Sequence, residues 1–183
     1  MAACTDNEFW TPDESRLILG GEGLMKVLTV DTPEDSLVLR KDCADLSAKA
    51  LQAEEYAALC RRMLATVTDP SQDGVGIAGP QVGVLRRVVA VQRFDKEGEP
   101  FEVYPNIRIV AFRGDRKPGP EGCLSVPGKR GEVLRWRDID ICYTSLKTME
   151  DTLETVQGFT AVIFQHECDH LDGVLYTDKL NLQ

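Results

Sequence analysis

Both histidines of the chain fall within five residues, His166-Glu167-Cys168-Asp169-His170, so any chemistry that needs an imidazole must happen there. At i and i+4 of a helix, two imidazoles project from one face about 6 Å apart and can grip one metal ion together. Glu167 lies about 100° further round, close enough to act on a water beside the ion without being a ligand. The pattern is that of metal-assisted hydrolysis with a carboxylate as general base. Paired histidines also occur on exposed helices, but the preceding run Phe159-Thr160-Ala161-Val162-Ile163-Phe164 is too apolar for one.

No histidine is offered downstream as a third ligand, for only thirteen residues follow His170; a carboxylate there, Asp172 or Asp178, is conceivable, but Asp172 points elsewhere on the helix. The search moves upstream, to cysteines and carboxylates. Cys123 is the candidate, in Pro118-Gly119-Pro120-Glu121-Gly122-Cys123-Leu124-Ser125-Val126-Pro127, where Gly and Pro on both sides predict a loop or strand edge. Metal coordination keeps a thiol as thiolate at neutral pH. Cys168 is a rival in sequence but points about 200° away from His166 on the helix, and Cys168 and Cys142 are read as structural. A third segment, Gly74-Val75-Gly76-Ile77-Ala78-Gly79-Pro80-Gln81, exposes backbone N–H and C=O groups to a ligand chain, and Gln81 adds an amide donor. It lacks the Gly-Lys-Ser/Thr ending of a phosphate loop and the Gly-x-Gly-x-x-Gly spacing, so a peptide is the better guest.

These residues must be held by a fold, and the periodicities say which. Leu46, Ala50, Ala53, Ala57, Cys60, Leu64 and Val67 recur at alternating spacings of 4 and 3, which predicts one amphipathic helix of about six turns ending before Asp69-Pro70. Arg87 to Gln92, Phe101 to Tyr104, Ile107 to Phe112, Glu132 to Trp136 and Ile139 to Tyr143 read as short, mostly antiparallel strands. A buried helix then runs from Phe159 to Leu171, with Gly173 as the residue that ends it. The expected class is α+β: short, mostly antiparallel sheets packed around a buried, metal-bearing helix, with one further long amphipathic helix near the N-terminus. Residues 1–23 read as an irregular arm and 24–183 as a single catalytic domain.

With 21 basic against 30 acidic residues in 183, the net charge is −9, which argues against nucleic acid as a partner. No apolar run reaches the roughly 18 residues of a membrane span. The acidic N-terminal segment, with Asp6, Glu8, Asp13, Glu14 and Glu22 against Arg16, fits no signal or transit peptide. Six scattered cysteines without a Cys-x-x-Cys pair predict free thiols and a cytoplasmic location.

Taken in order, Gly74 to Gln81, Glu121 to Ser125 and His166 to His170 resemble the three signatures of the peptide deformylase family, a Gly-φ-Gly-φ-Ala-Ala-Pro/Thr-Gln loop, Glu-Gly-Cys-Leu-Ser and a helical His-Glu-x-x-His. The resemblance implies that Cys123, His166 and His170 bind the metal and that Glu167 is general base and acid. It further implies that Gln81 and the N–H of Leu124 form the oxyanion hole. Phe159, Val162 and Ile163, one helix stripe with His166, would line the pocket for a methionine side chain. Val75, Gly76 and Gly122 would lie along the peptide, and Arg130 at its far end. The implied reaction is removal of the formyl group from N-formylmethionyl peptides, with transient association with the translation machinery. The donor set suits Fe²⁺, Ni²⁺, Co²⁺ or Zn²⁺, and geometry does not choose; the resemblance favours Fe²⁺. The chain departs from the signature at Gly79, where the family has its second Ala, and the missing methyl is expected to loosen the backbone before Gln81. Two other readings follow from the same residues: a related hydrolase for another N-acyl peptide, and a non-catalytic metal- or peptide-binding homologue. The intact Glu167 and a set of three rather than four protein ligands weigh against the second.

Overall fold

The apolar stripe from Leu46 to Val67 folds as two helices, α3 (Ala48–Gln52) and α4 (Glu54–Val67), with Ala53 extended between them at φ −76°, ψ 158°. The single long helix expected from periodicity is corrected here. Neither Gly nor Pro makes the break. The Ala50 carbonyl, which a continuous helix would offer to Glu54, accepts the indole N–H of Trp10 at 3.0 Å and the Ala53 N–H at 3.3 Å. Of the expected stripe Leu46, Ala50 and Val67 are enclosed, but Ala57 is exposed and Ala53, Cys60 and Leu64 are only partly buried; the face that α4 buries is turned toward Tyr56, Leu59 and Met63.

The computed structural model describes residues 9–180. Within the segment read as an irregular arm, Pro12–Leu19 form a helix, α1, so that expectation is corrected over these residues; the first eight lie outside the described range. Thr11 caps α1 and Glu14 returns the bond to the Thr11 N–H, a capping box with Pro12 at the first helical position. A second short helix, α2 (Pro33–Leu39), follows.

Two three-stranded antiparallel sheets carry the rest: β1 (Gly76–Ala78), β2 (Val88–Gln92) and β3 (Phe101–Pro105) in one, β4 (Arg108–Cys123), β5 (Val126–Thr144) and β6 (Asp151–Gln157) in the other. β2 is buried on both faces. Val88 and Ala90 pack into the cluster under α3 and α4, whereas Val89 and Val91 face the cluster around the last helix, as the two-residue period of a strand requires. β4 and β5 are longer than the pieces read from the sequence, because register shifts at Ile109/Ala111, Arg113/Arg116 and Glu121/Cys123 absorb the glycine-rich interruptions. Pro118 and Pro120 are tolerated because β4 is an edge strand.

The last helix, α5 (Gly158–Leu171), packs between the sheets. Ala161, Ile163, Phe164, Cys168 and Leu171 share a cluster with Val89 and Val91 of β2, Ile139 and Ile141 of β5 and Val156 of β6. Gly173, at φ +66°, ends it as expected: its N–H bonds the His170 carbonyl and that of Val174 the Asp169 carbonyl. Phe159 differs from the expectation, for it stands half-exposed at the first turn.

Candidate metal centre and active site

α5 places His166 and His170 one turn apart, and β4 brings Cys123 to them just before the β4–β5 turn. The ligand atoms of Cys123, His166 and His170 lie within 4.8 Å of one another, the one such group among the described residues. Cys123 Sγ is 3.2 Å from His170 Nε2 and accepts the Ser125 N–H at 3.4 Å. The rivals lie elsewhere. Cys168 is buried against the sheets, Asp172 pairs with Arg87 at 2.6 Å, and Asp178 pairs with Arg40.

Behind the ligands stands a charged layer that the sequence analysis missed. Glu121 Oε2 accepts from His166 Nδ1 at 2.9 Å, which leaves Nε2 of that ring for the cluster. Arg135 forks onto both Glu121 oxygens at 2.7 and 3.0 Å and reaches Asp169 of α5 at 2.6 Å. Burial raises the Glu121 pKa, but the bonds from His166 and Arg135 outweigh it and hold the carboxyl down at about 2. The signal was available: in Val133-Leu134-Arg135-Trp136 the arginine shares the inward face with buried Val133, and a buried guanidinium requires a carboxylate. Tyr176 closes the back, its ring stacked on His166 at 6.0 Å and its hydroxyl donating to the Lys129 carbonyl at 2.9 Å.

Glu167 is 4% exposed, and its Oε2 has no hydrogen-bond partner. Burial, assisted by the charge of Glu121, pushes its pKa up to about 7, close to where a proton carrier is most useful. Gly76 and Ile163 lie against it; a Cβ on Gly76 would collide with its Oε1. Gln81 is buried at the 3-10 turn Gly79–Val82. Its Oε1 accepts the Ala78 N–H at 2.8 Å, so the amide nitrogen is turned toward Ser125 Oγ at 3.1 Å and Cys123 Sγ at 3.5 Å. Ser125, present in the signature but given no role from the sequence, is thus a further residue of the site. The expected loosening at Gly79 is also corrected. A Cβ there would come within 2.7 Å of the carbonyl oxygens of both Val84 and Arg86, so the missing methyl lets that turn close tightly behind Gln81.

One cavity of about 720 Å³ opens over these groups. Val75, Gly76, Gln81, Gly122, Cys123, Leu124, Arg130, Phe159, Val162, Ile163, His166 and Glu167 all line it, and His170 does not, being sealed at 1% exposure. Of the site residues that the resemblance implied, all but His170 thus line this cavity.

The donor set fits a divalent transition ion: two imidazoles and a thiol converge with no fourth protein ligand among the described residues, beside carboxylates that favour positive charge. Burial opposes charge on both rings. At His166 the bonds to Cys123 and Glu121 outweigh it and raise the pKa to about 10, whereas His170, with burial and the charge of His166 acting together, is held well below its ordinary value. An ion on the two rings would take the place of that proton. A helix bearing His-Glu-x-x-His, an upstream cysteine, and a buried carboxylate facing a cavity define the class of metal-dependent hydrolases.

The comparisons narrow the class. The family model for polypeptide deformylase matches residues 24–183. A peptide deformylase of Leptospira biflexa is 36% identical over 162 residues, covering 85% of this chain and 87% of its own. The Acinetobacter baumannii peptide deformylase solved with Met-Ala-Ser bound superposes with a TM-score of 0.75 at 34% identity, over 86% of this chain and 98% of that one. A Synechococcus elongatus peptide deformylase solved with actinonin gives a TM-score of 0.75 at 26% identity, covering 100% of this chain and 89% of its own. The chain belongs to the peptide deformylase family, whose members are metal-dependent.

Proposed function

We propose that this chain hydrolyses the formyl group from the N-terminal formylmethionine of nascent polypeptides, water supplying oxygen to the formyl carbon while the C–N bond breaks to give formate and a free α-amine. The observation that carries this reading is the convergence of Cys123, His166 and His170 beside the unpartnered Glu167 Oε2, in the same cavity as Gln81. A divalent ion held by Cys123, His166 and His170 supplies Lewis acidity and lowers the pKa of the attacking water.

The chain's own residues do the rest. Glu167, poised near neutrality by burial, takes the proton of the water and hands it to the departing nitrogen. The Gln81 amide and the N–H of Leu124 meet the formyl oxygen as charge develops on it. Glu121 and Arg135 fix the His166 ring. Phe159, Val162 and Ile163 receive the methionine side chain, Val75, Gly76 and Gly122 run along the peptide, and Arg130 marks its far end. Residues 24–183 constitute the catalytic domain, with α5 as its metal-bearing helix.

Fe²⁺ is the resident ion in this account, with Ni²⁺, Co²⁺ and Zn²⁺ as substitutes. Ferrous iron beside a thiolate is sensitive to oxygen, so the iron form should lose activity in air while the nickel form keeps it; equal decay of the two would count against iron. The protein works in the cytoplasm, in transient association with the translation machinery; no helix among the described residues is long and apolar enough to cross a membrane.

Neither alternative, another N-acyl substrate or a non-catalytic role, is favoured by the deformylase relatives. The deciding assay compares formyl-Met-Ala-Ser with acetyl-Met-Ala-Ser on metal-loaded protein. Formate release from the first with no acetate from the second is expected. Turnover of the acetyl peptide at an equal rate, or of neither, would refute the reading.

A further inference from the structure

The turn that carries Gln81 is held from a distance by a segment lying ahead of the residues matched to the family, which begin at 24. Arg86, whose side chain is 2% exposed, stands four residues after the last residue of that turn, Val82. Both Glu14 oxygens of α1 accept from it, at 2.7 and 2.8 Å; the Phe9 carbonyl accepts at 3.0 Å, and Trp10 covers its guanidinium at 5.5 Å. Arg86 in turn presents its carbonyl oxygen against Gly79, and the Gly79 carbonyl accepts the Val84 N–H at 3.0 Å. Gln81 lies within the loop that these two contacts close at Gly79. From the other side Leu17 of α1 rests on Gly83, within 3.3 Å of where a Cβ would be.

α1 is itself anchored independently of the turn. Arg62 of α4 donates to the Leu17 and Ile18 carbonyls at its C-terminal end, each at 2.9 Å, and Trp10 is tied to Ala50. A fixed helix thus grips a buried arginine whose backbone shapes the loop bearing the oxyanion amide.

We infer that α1 is a positioning element for the deformylation reaction, with Glu14 and Leu17 setting the place of Gln81 through Arg86, Gly79 and Gly83. The inference rests on the deformylase reading and on the oxyanion role of Gln81. A group that meets the substrate only as charge develops contributes to kcat rather than to KM. Displacing it by a fraction of an ångström should therefore lower turnover and leave peptide binding nearly unchanged.

The test uses the full-length metal-loaded chain, with wild-type deformylation of formyl-Met-Ala-Ser measured alongside, so that failure of the functional reading appears in the wild type and not in the variants. Glu14→Ala is expected to lower kcat about tenfold, with KM and metal content near wild type, and Glu14→Gln, which keeps an acceptor for Arg86, to recover part of the loss. Affinity for a peptidyl hydroxamate inhibitor should fall with kcat while that for the product Met-Ala-Ser holds. Leu17→Ala, at a position already 43% exposed, is the second variant and decides the matter if Glu14→Ala does not fold. Its kcat should fall several-fold, again at constant KM. Wild-type kcat in a folded Glu14→Ala or Leu17→Ala protein would overturn the inference, and so would equal losses of hydroxamate and product affinity.

Discussion

Gly76 and Glu167 meet so closely that a Cβ on the glycine would fall inside van der Waals contact of Oε1, with Ile163 Cγ2 2.9 Å away on the same side. The glycine of β1 is thereby a requirement of the carboxylate on α5. Gly76→Ala should displace the Glu167 side chain, the movable partner, more readily than either backbone. We expect it to keep its metal and most of its thermal stability but to lose about 10- to 100-fold in kcat. Steady-state kinetics with metal analysis checks this; unchanged kcat would mean that the carboxylate tolerates displacement.

Glu121 links a ligand to a buried cation. Glu121→Gln should loosen His166 and weaken metal affinity about 10- to 100-fold, measured by competition with a chelator. Its effect on stability has a defined pH window. The folded carboxyl is held at about 2 against an ordinary 4.5, so its contribution is complete above 4.5 and disappears as pH falls from there to about 2. On metal-free protein, the gap in urea midpoint between wild type and Glu121→Gln should be widest above pH 4.5 and close toward pH 2. A constant gap would contradict the ionised Glu121–Arg135 pair.

Val162 faces the cavity at 8% exposure, one turn before His166. Val162→Phe should fill the methionine pocket and raise KM for formyl-Met peptides more than it lowers the melting temperature. A collapse in stability with unchanged kinetics of the folded fraction would make Val162 core alone.

Much of this was legible from local pattern. The i, i+4 histidines, the apolar turns before them and Gly173 after them mark α5, and the short apolar run Val88-Val89-Ala90-Val91 marks β2. What escaped is mostly tertiary. No residue of Ala50-Leu51-Gln52-Ala53 announces a break, and the side chain that takes up the Ala50 carbonyl there, Trp10, is forty residues away. β4 and β5 read as fragments because glycines and prolines that usually end strands are taken up in bulges and on an edge. The layer of Glu121, Arg135 and Asp169 joins three elements, so only the inward position of Arg135 hinted at it. By contrast, α1 was missed although Thr11-Pro12-Asp13-Glu14 spells its capping box.

The central claim is that Cys123, His166 and His170 hold the ion while Glu167 moves protons without holding it. It is tested most directly by measuring metal content and kcat together on Glu167→Gln, with Cys123→Ala as the reference for a lost ligand. The expected Glu167→Gln protein is folded, binds about one ion per chain, and turns over formyl-Met-Ala-Ser at least about 10²-fold more slowly, while Cys123→Ala loses the metal. Near-normal turnover by Glu167→Gln would contradict the account, as would a metal-free protein, which would make Glu167 a ligand.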